Sequence, residues 1–175
     1  WLVQGLLVER AVNAIGAEPK TFKTWVGLEL ALAVAAGVPA LGQFDTGPAR
    51  QVAVFLVEDD ERSTRNRLRS LASSRGLDVA AALGRLAMKC RGRLDLESDA
   101  DLAWIIASCR ALPELPALLV LDPLRDLHNA SENDSDEMAP VMGRLRLLRD
   151  LIGCAVVFVH HAAKAGEATN ARRPG

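Results

Sequence analysis

Aromatic residues are scarce in this sequence of 175 residues, which has no tyrosine, three tryptophans and four phenylalanines. With so few rings, base stacking on an aromatic platform is not an attractive way for the protein to bind single-stranded nucleic acid. An excess of charge of one sign is lacking as well, because the formal net charge is −1. Any contact with nucleic acid must therefore come from local patches or from assembly into a larger object.

Cysteine is also rare, with only Cys90, Cys109 and Cys154 in the chain. An odd number without closely spaced pairs argues against a disulfide framework or a zinc site, and predicts a reducing, cytoplasmic setting. Long hydrophobic runs are absent, since the most apolar stretch, 26–41, is interrupted and too short to span a bilayer. No signal-peptide pattern opens the chain, so we expect no membrane partner. Half of the residues are hydrophobic, which predicts one globular domain over 1–175, whose C-terminal end can have been cut from a longer chain.

Strand-like and helix-like patterns alternate along the chain. Five short apolar runs read as strands: 11–15, 51–57, 86–90, 118–121 and 154–159. Helical patterns separate them, for example from Thr24 to the glycine at position 37 and from the capping sequence at Ser98 to about residue 112. The alternation predicts an α/β fold with a mostly parallel central sheet, buried strands and helices on both faces. In such a sheet the ligand crevice lies beyond the carboxyl ends of the strands.

The stretch 12–24 combines an apolar run, a loop and Lys-Thr at the start of a helical pattern. Backbone N–H groups at a helix start favour an anion, so Lys23 is expected to reach terminal phosphates and Thr24 to hold a magnesium ion. The match to G-x-x-x-x-G-K-[ST] is imperfect, because Ala17 and Phe22 occupy the two glycine positions. A bulky residue is unfavourable where the loop needs permissive backbone angles. An ordinary strand–loop–helix junction with a solvated lysine remains the alternative.

Polar side chains follow three of the other strand patterns. Asp122 is placed to bind magnesium, although an aspartate that caps a turn before proline is the alternative. Glu58 is the candidate for orienting water, or else contributes charge to the start of a helix. His160 and His161 alternate across a strand, so one is expected to face the crevice and sense the γ-phosphate while the other packs. A capping or core role for both histidines stays open.

Four segments together carry a family resemblance: Gly-Ala-Glu-Pro-Lys-Thr-Phe-Lys-Thr-Trp, Leu-Val-Glu-Asp, Leu-Val-Leu-Asp-Pro-Leu-Arg-Asp-Leu-His and Val-His-His-Ala-Ala-Lys. They resemble the RepA-type branch of the RecA-fold P-loop ATPases, which includes hexameric replicative helicases. The resemblance implies Mg²⁺-dependent ATP hydrolysis, a ring-shaped, hexameric homo-oligomer and movement on single-stranded DNA. It places Glu58 as the water-orienting carboxylate, His160 or His161 as a coupling histidine, and Thr24 and Asp122 at the metal. It places the nucleotide at Lys23 and Thr24, although the chain departs from the family pattern at two positions of the loop. The residues that we expect to bind ATP are those of the whole loop: Ala17, Glu18, Pro19, Lys20, Thr21, Phe22, Lys23 and Thr24.

Weaker signals concern arginines and a polar loop. A stripe at helical spacing (Arg62, Arg65 and Arg69) can contact a phosphate backbone or a neighbouring subunit, but a solvated face is the alternative. Loop 128–136 either lines the channel of a ring or is a plain surface loop. Arg172 and Arg173, with Lys164 nearby, are candidates for a trans-acting arginine. Two functions therefore stay open: a DNA-stimulated motor, and a slow nucleotide switch or scaffold that recruits a partner without translocating.

Overall fold

The fold is that of a computed structural model, which describes residues 1–90, 92–132 and 134–161, with His161 described by its backbone alone. Five strands are present in this part of the chain: β1 (Val12–Ala17), β2 (Val52–Leu56), β3 (Leu86–Cys90), β4 (Leu118–Asp122) and β5 (Ala155–His161). Five α-helices alternate with them: α1 (Lys23–Ala36), α2 (Glu61–Ser74), α3 (Val79–Gly84), α4 (Asp99–Arg110) and α5 (Ser135–Ile152). A 3-10 helix, Leu124–Leu127, follows β4 directly.

The strands form one sheet in the order β1-β5-β4-β2-β3, and each neighbouring pair is parallel. This confirms the predicted parallel sheet. Every residue of β2 and β4 is buried, as near-continuous apolar runs in a parallel sheet should be. The expectation that the first strand is buried was wrong, because β1 lies at one edge of the described sheet and its residues are half-buried or exposed.

Helices cover both faces of the sheet, as the alternation predicted. The first face packs its apolar side chains against α1, α2 and α3, and the second packs against α4, α5 and the 3-10 helix. Alternate residues of a strand serve the two faces, so Val157 belongs to the first and Phe158 to the second. α1 approaches the sheet closely at Gly27, where a Cβ would lie 3.7–3.9 Å from side chains of β1, β4 and β5. The N-terminal part of α1 therefore sits over the three strands that lead into the site.

Side-chain caps fix the starts of several helices. The Asp60 carboxylate accepts a hydrogen bond from the Ser63 N–H at 2.9 Å, and the Ser98 hydroxyl accepts one from the Asp101 N–H at 3.3 Å. The Asp101 carboxylate accepts a hydrogen bond from the Asp95 N–H at 3.0 Å, and the Ser98 N–H donates to the Asp95 carbonyl at 3.1 Å. Within the described residues, no helix is both long and apolar enough to cross a membrane.

Candidate active site

The segment that joins β1 to α1 has an unusual backbone for its residue types. Lys20 and Phe22 both adopt positive φ angles, of 64° and 62°, and Phe22 is the residue that caps α1. Phe22 as a whole is 75% exposed, and it offers no side-chain hydrogen bond to the helix. Left-handed angles are uncommon for a bulky residue, so the loop takes a glycine-like shape without a glycine at this position.

Lys23, the first residue of α1, is held inside this loop. Its side chain is buried, and its Nζ donates hydrogen bonds to the carbonyl oxygens of Ala17 at 2.9 Å and Glu18 at 2.6 Å. The Thr21 hydroxyl donates to the same Glu18 carbonyl at 2.5 Å. Because the first N–H groups of a helix have no intrahelical partners and lie at its positive end, the loop presents an ammonium and free donors on one concave surface. Such a surface favours an anion.

A cavity of about 350 Å³ opens beside the loop, between the start of α1 and the carboxyl ends of β2 and β4. It brings together most of the predicted site: Lys20, Thr21, Phe22, Lys23 and Thr24, together with Glu58 and Asp122. Ala17, Glu18, Pro19 and His160 do not line it. Ala17 and Glu18 contribute indirectly, because their carbonyls hold Lys23.

Three further residues line the cavity on the side of α2, and none of them was among the predicted site residues. The guanidinium of Arg67 pairs with the Asp59 carboxylate at 2.5 Å and lies 5.8 Å from the centre of the Trp25 ring. All three residues line the cavity. The predicted stripe, by contrast, lies on the exposed side of α2, which fits a solvated face and a contact surface equally, and Arg65 there pairs with Glu61 at 2.5 Å.

Glu58 is surrounded by other acids. Loss of solvent around its carboxyl is the largest cause that raises the pKa of Glu58. A hydrogen bond with the Asp126 carboxyl and the negative charges of Asp126, Asp122 and Asp59 raise it further. A carboxyl with a raised pKa binds a proton more strongly, which suits a general base.

A second cavity, of about 520 Å³, lies on the other side of Glu58. Residues that follow β2, β3 and β4 line it together with Glu58: Val57, Gly92, Arg93, Arg125, Asp126, His128 and Asn129. Glu58 is therefore the side chain that the two cavities share. Nothing in the sequence patterns pointed to this second cavity.

His160 points away from the first cavity. Its Nδ1 lies 3.3 Å from Oε1 of Glu132, and the same oxygen lies 3.9 Å from Nε2 of the fully buried His128. Val159, one residue earlier on β5, lines the first cavity from the opposite face of the strand. The prediction that one histidine faces the crevice thus depends on His161, whose side chain lies outside the described residues.

The oxygen atoms in the first cavity suit magnesium. The Thr24 hydroxyl and the Asp122 carboxylate both line it, and Asp122 is buried at the end of β4. The part of the chain that the structure describes has no group of three or more His, Cys, Asp or Glu residues able to hold a metal. Mg²⁺ ordinarily uses one or two protein oxygens together with substrate phosphates, so this donor set fits it.

Comparison with known proteins agrees with this geometry. The family described as AAA domain matches residues 1–167, nearly the whole chain. The chain belongs to the AAA domain family. It is also similar in fold to a solved ATPase domain of another protein, with a TM-score of 0.64 at 16% sequence identity.

That match covers 95% of this chain and 63% of the solved one, so the present chain spans less than two thirds of its structural neighbour. Together with the parallel sheet, it confirms a RecA-like P-loop fold, and the family match over residues 1–167 confirms the resemblance inferred from the motifs. The chain is therefore an AAA domain with a RecA-like P-loop fold.

Proposed function

We propose that this AAA domain hydrolyses ATP with the help of Mg²⁺ in the first cavity. The observation that carries the proposal is the convergence of Lys23, Thr24, Glu58 and Asp122 on one cavity of about 350 Å³. These side chains come from the start of α1 and from the ends of β2 and β4, which are far apart in sequence. Packing of the core does not require such groups at those places.

The phosphates of ATP would lie against the loop and the first turn of α1. Lys23 would exchange its bonds to the Ala17 and Glu18 carbonyls for bonds to phosphate oxygens, which are stronger partners because they are charged. Thr24 and Asp122 would hold Mg²⁺, which when bound neutralises charge on the phosphates. Glu58 would orient the attacking water and accept its proton.

We further propose that the domain works as a cytoplasmic homo-oligomer, a hexameric ring, with single-stranded DNA as its partner, as in plasmid or phage replication. The family resemblance and the similarity to the solved ATPase domain support this reading. The arginines suggested for action between subunits, Arg172 and Arg173, fall outside the described residues, as does Lys164. The exposed stripe on α2 remains available to a neighbouring subunit or a phosphate backbone.

A slow nucleotide switch or scaffold is the second candidate, and two features favour it. Two of the three donors of the Lys23 ammonium already bind loop carbonyls, so phosphate has to displace bonds that exist. Glu58 is hydrogen-bonded to another acid, and a carboxyl that carries a shared proton cannot accept one from water. Both features slow turnover without preventing ATP binding.

ATP hydrolysis by the full chain, with and without Mg²⁺ and single-stranded DNA, tests both candidates. A motor should be stimulated several-fold by the DNA, whereas a switch should turn over slowly and respond to neither length nor presence of DNA. Lys23→Ala should abolish hydrolysis, and Lys89→Ala, which changes an exposed lysine on β3, should not. Hydrolysis by Lys23→Ala at the wild-type rate would refute the proposed site. A mass measurement with and without nucleotide tests the ring.

A further inference from the structure

Two aromatic residues line the first cavity, and they differ in how firmly the protein holds them. Phe22 precedes Lys23 and is 75% exposed, so little of the protein restrains its side chain. Trp25 follows Thr24 in the first turn of α1 and is half-buried. A ring that is already held in place loses less freedom when a ligand packs against it, so Trp25 is the better prepared of the two.

Arg67 on α2 holds Trp25 from its side of the cavity. The guanidinium lies 5.8 Å from the centre of the indole ring, within the range of an attractive contact between a cation and an aromatic face. The same guanidinium donates a hydrogen bond to the Asp59 carboxylate at 2.5 Å, and less than a third of either side chain is exposed. Because the carboxylate offsets the charge of Arg67, the guanidinium is better suited to hold the ring than to attract a phosphate.

The place of the phosphates decides where the rest of ATP can lie. In the proposed reaction the terminal phosphate sits beside Lys23, Glu58 and Asp122, because water attacks it there. The adenosine part must then extend away from these groups along the cavity. Trp25 presents an aromatic ring to the cavity on the side of α2. Every nucleobase has a flat face that can stack on such a ring.

We propose that Trp25, held by Arg67, binds the base of the nucleotide by stacking, so that the first cavity selects nucleoside triphosphates over polyphosphate alone. This inference rests on the proposed binding of ATP in that cavity. Arg67 acts through Trp25 and is therefore a positioning residue, and Asp59 in turn fixes Arg67. The stacked base orients the nucleotide and takes no part in the hydrolysis.

Inorganic tripolyphosphate carries three phosphates without a base, so it separates the two parts of the site. Calorimetry with Mg²⁺ present gives the dissociation constants of ATP and of tripolyphosphate. Trp25→Leu should raise the constant for ATP about 10-fold, as the loss of one stacked base predicts. The constant for tripolyphosphate should change less than about twofold, because base and phosphates bind at separate places, and this binding also shows that the variant is folded. Trp25→Phe keeps an aromatic face and should bind ATP within about threefold of the wild type.

Three comparisons show whether the effect belongs to the ring that Arg67 holds. Trp1→Leu is the matched control, because Trp1 is 62% exposed and does not line the first cavity, and it should bind both ligands as the wild type does. Arg67→Ala should weaken ATP binding about threefold, and in the Trp25→Leu background it should cause no further loss, because the two residues act as a unit. ATP, but not tripolyphosphate, should change the tryptophan fluorescence of the wild type, and Trp25→Phe should lose this response.

Several outcomes would overturn the inference. They are an unchanged ATP affinity in Trp25→Leu, an equal loss for both ligands, equal fluorescence changes with both ligands, and a further loss from Arg67→Ala in the Trp25→Leu background. Equal binding of ATP and tripolyphosphate by the wild type would overturn this inference and leave the proposed phosphate site intact. A wild type that binds neither ligand would overturn the proposed function together with the inference.

Discussion

Removing the ammonium group of Lys23 should lower both the unfolding free energy of the nucleotide-free protein and its affinity for ATP. Lys23→Met keeps most of the buried aliphatic stem but removes the two hydrogen bonds to the Ala17 and Glu18 carbonyls. A hydrogen bond to a charged group contributes about 1.5–3 kcal/mol when its partners are cut off from water. Here the loop around the two carbonyls is largely exposed, so water can replace part of the lost hydrogen bonding. The expected loss in unfolding free energy is therefore about 2 kcal/mol.

Urea unfolding without nucleotide measures this loss, and Lys89→Met on the exposed side of β3 is the control for removing one positive charge. We expect the loss of the contact between ammonium and phosphate to cost about 2.7 kcal/mol of binding free energy. The dissociation constant for ATP, measured by calorimetry, should therefore rise about 100-fold. If Lys23→Met unfolds at the wild-type urea concentration and binds ATP within about threefold of the wild type, the assignment of Lys23 to the phosphates is refuted.

Three other expectations follow from the geometry. The kcat of ATP hydrolysis should rise as the pH rises through the raised pKa of Glu58, because the base must lose its proton. Asp126→Asn removes one neighbouring negative charge and should move this rise to lower pH, so identical pH profiles of the two proteins would contradict the expectation. Gly27→Ala should stabilise the protein by up to about 1 kcal/mol in urea unfolding, because a Cβ meets only ordinary contacts inside α1; a loss would show that the helix sits closer to the sheet. Glu132→Ala should change the unfolding free energy by less than about 1 kcal/mol, because Oε1 of Glu132 makes no hydrogen bond to either imidazole; a larger loss in urea unfolding would contradict this.

The secondary structure could be predicted largely because its signals are local. The run 51–57 became β2, Val52–Leu56, and the helical pattern ending at Gly37 became α1, with Gly37 in the left-handed conformation of a C-terminal cap. α3 and the 3-10 helix were missed, since six and four residues are too few to show a period. Strand order was not predictable, because the pairing of β1 with β5 joins segments more than 130 residues apart. That pairing leaves β1 at the edge.

The site was predictable to the extent that it depends on strand ends. Glu58 and Asp122 follow apolar runs, and a parallel sheet brings the ends of such runs to one edge. Arg67 was missed because its place depends on which face α2 turns to the sheet, and the arginines around it gave no reason to single it out. Asp126 stood inside a recognised motif without a role, since its partner Glu58 is adjacent only after folding.

β5 shows how a correct periodicity can leave the functional question open. The alternation of its side chains predicted that consecutive residues face opposite sides, and the structure confirms this for Val159 and His160. The sequence could not say which side each takes, because that depends on the register with β1, where His160 lies opposite Gly16. Val159 lines the first cavity, whereas the His160 side chain lies beside Glu132 on the other face of the strand. Any influence of His160 on the nucleotide must therefore pass through the backbone of β5. β5 lies between β1 and β4, so a shift of its end would reach both the phosphate loop and Asp122.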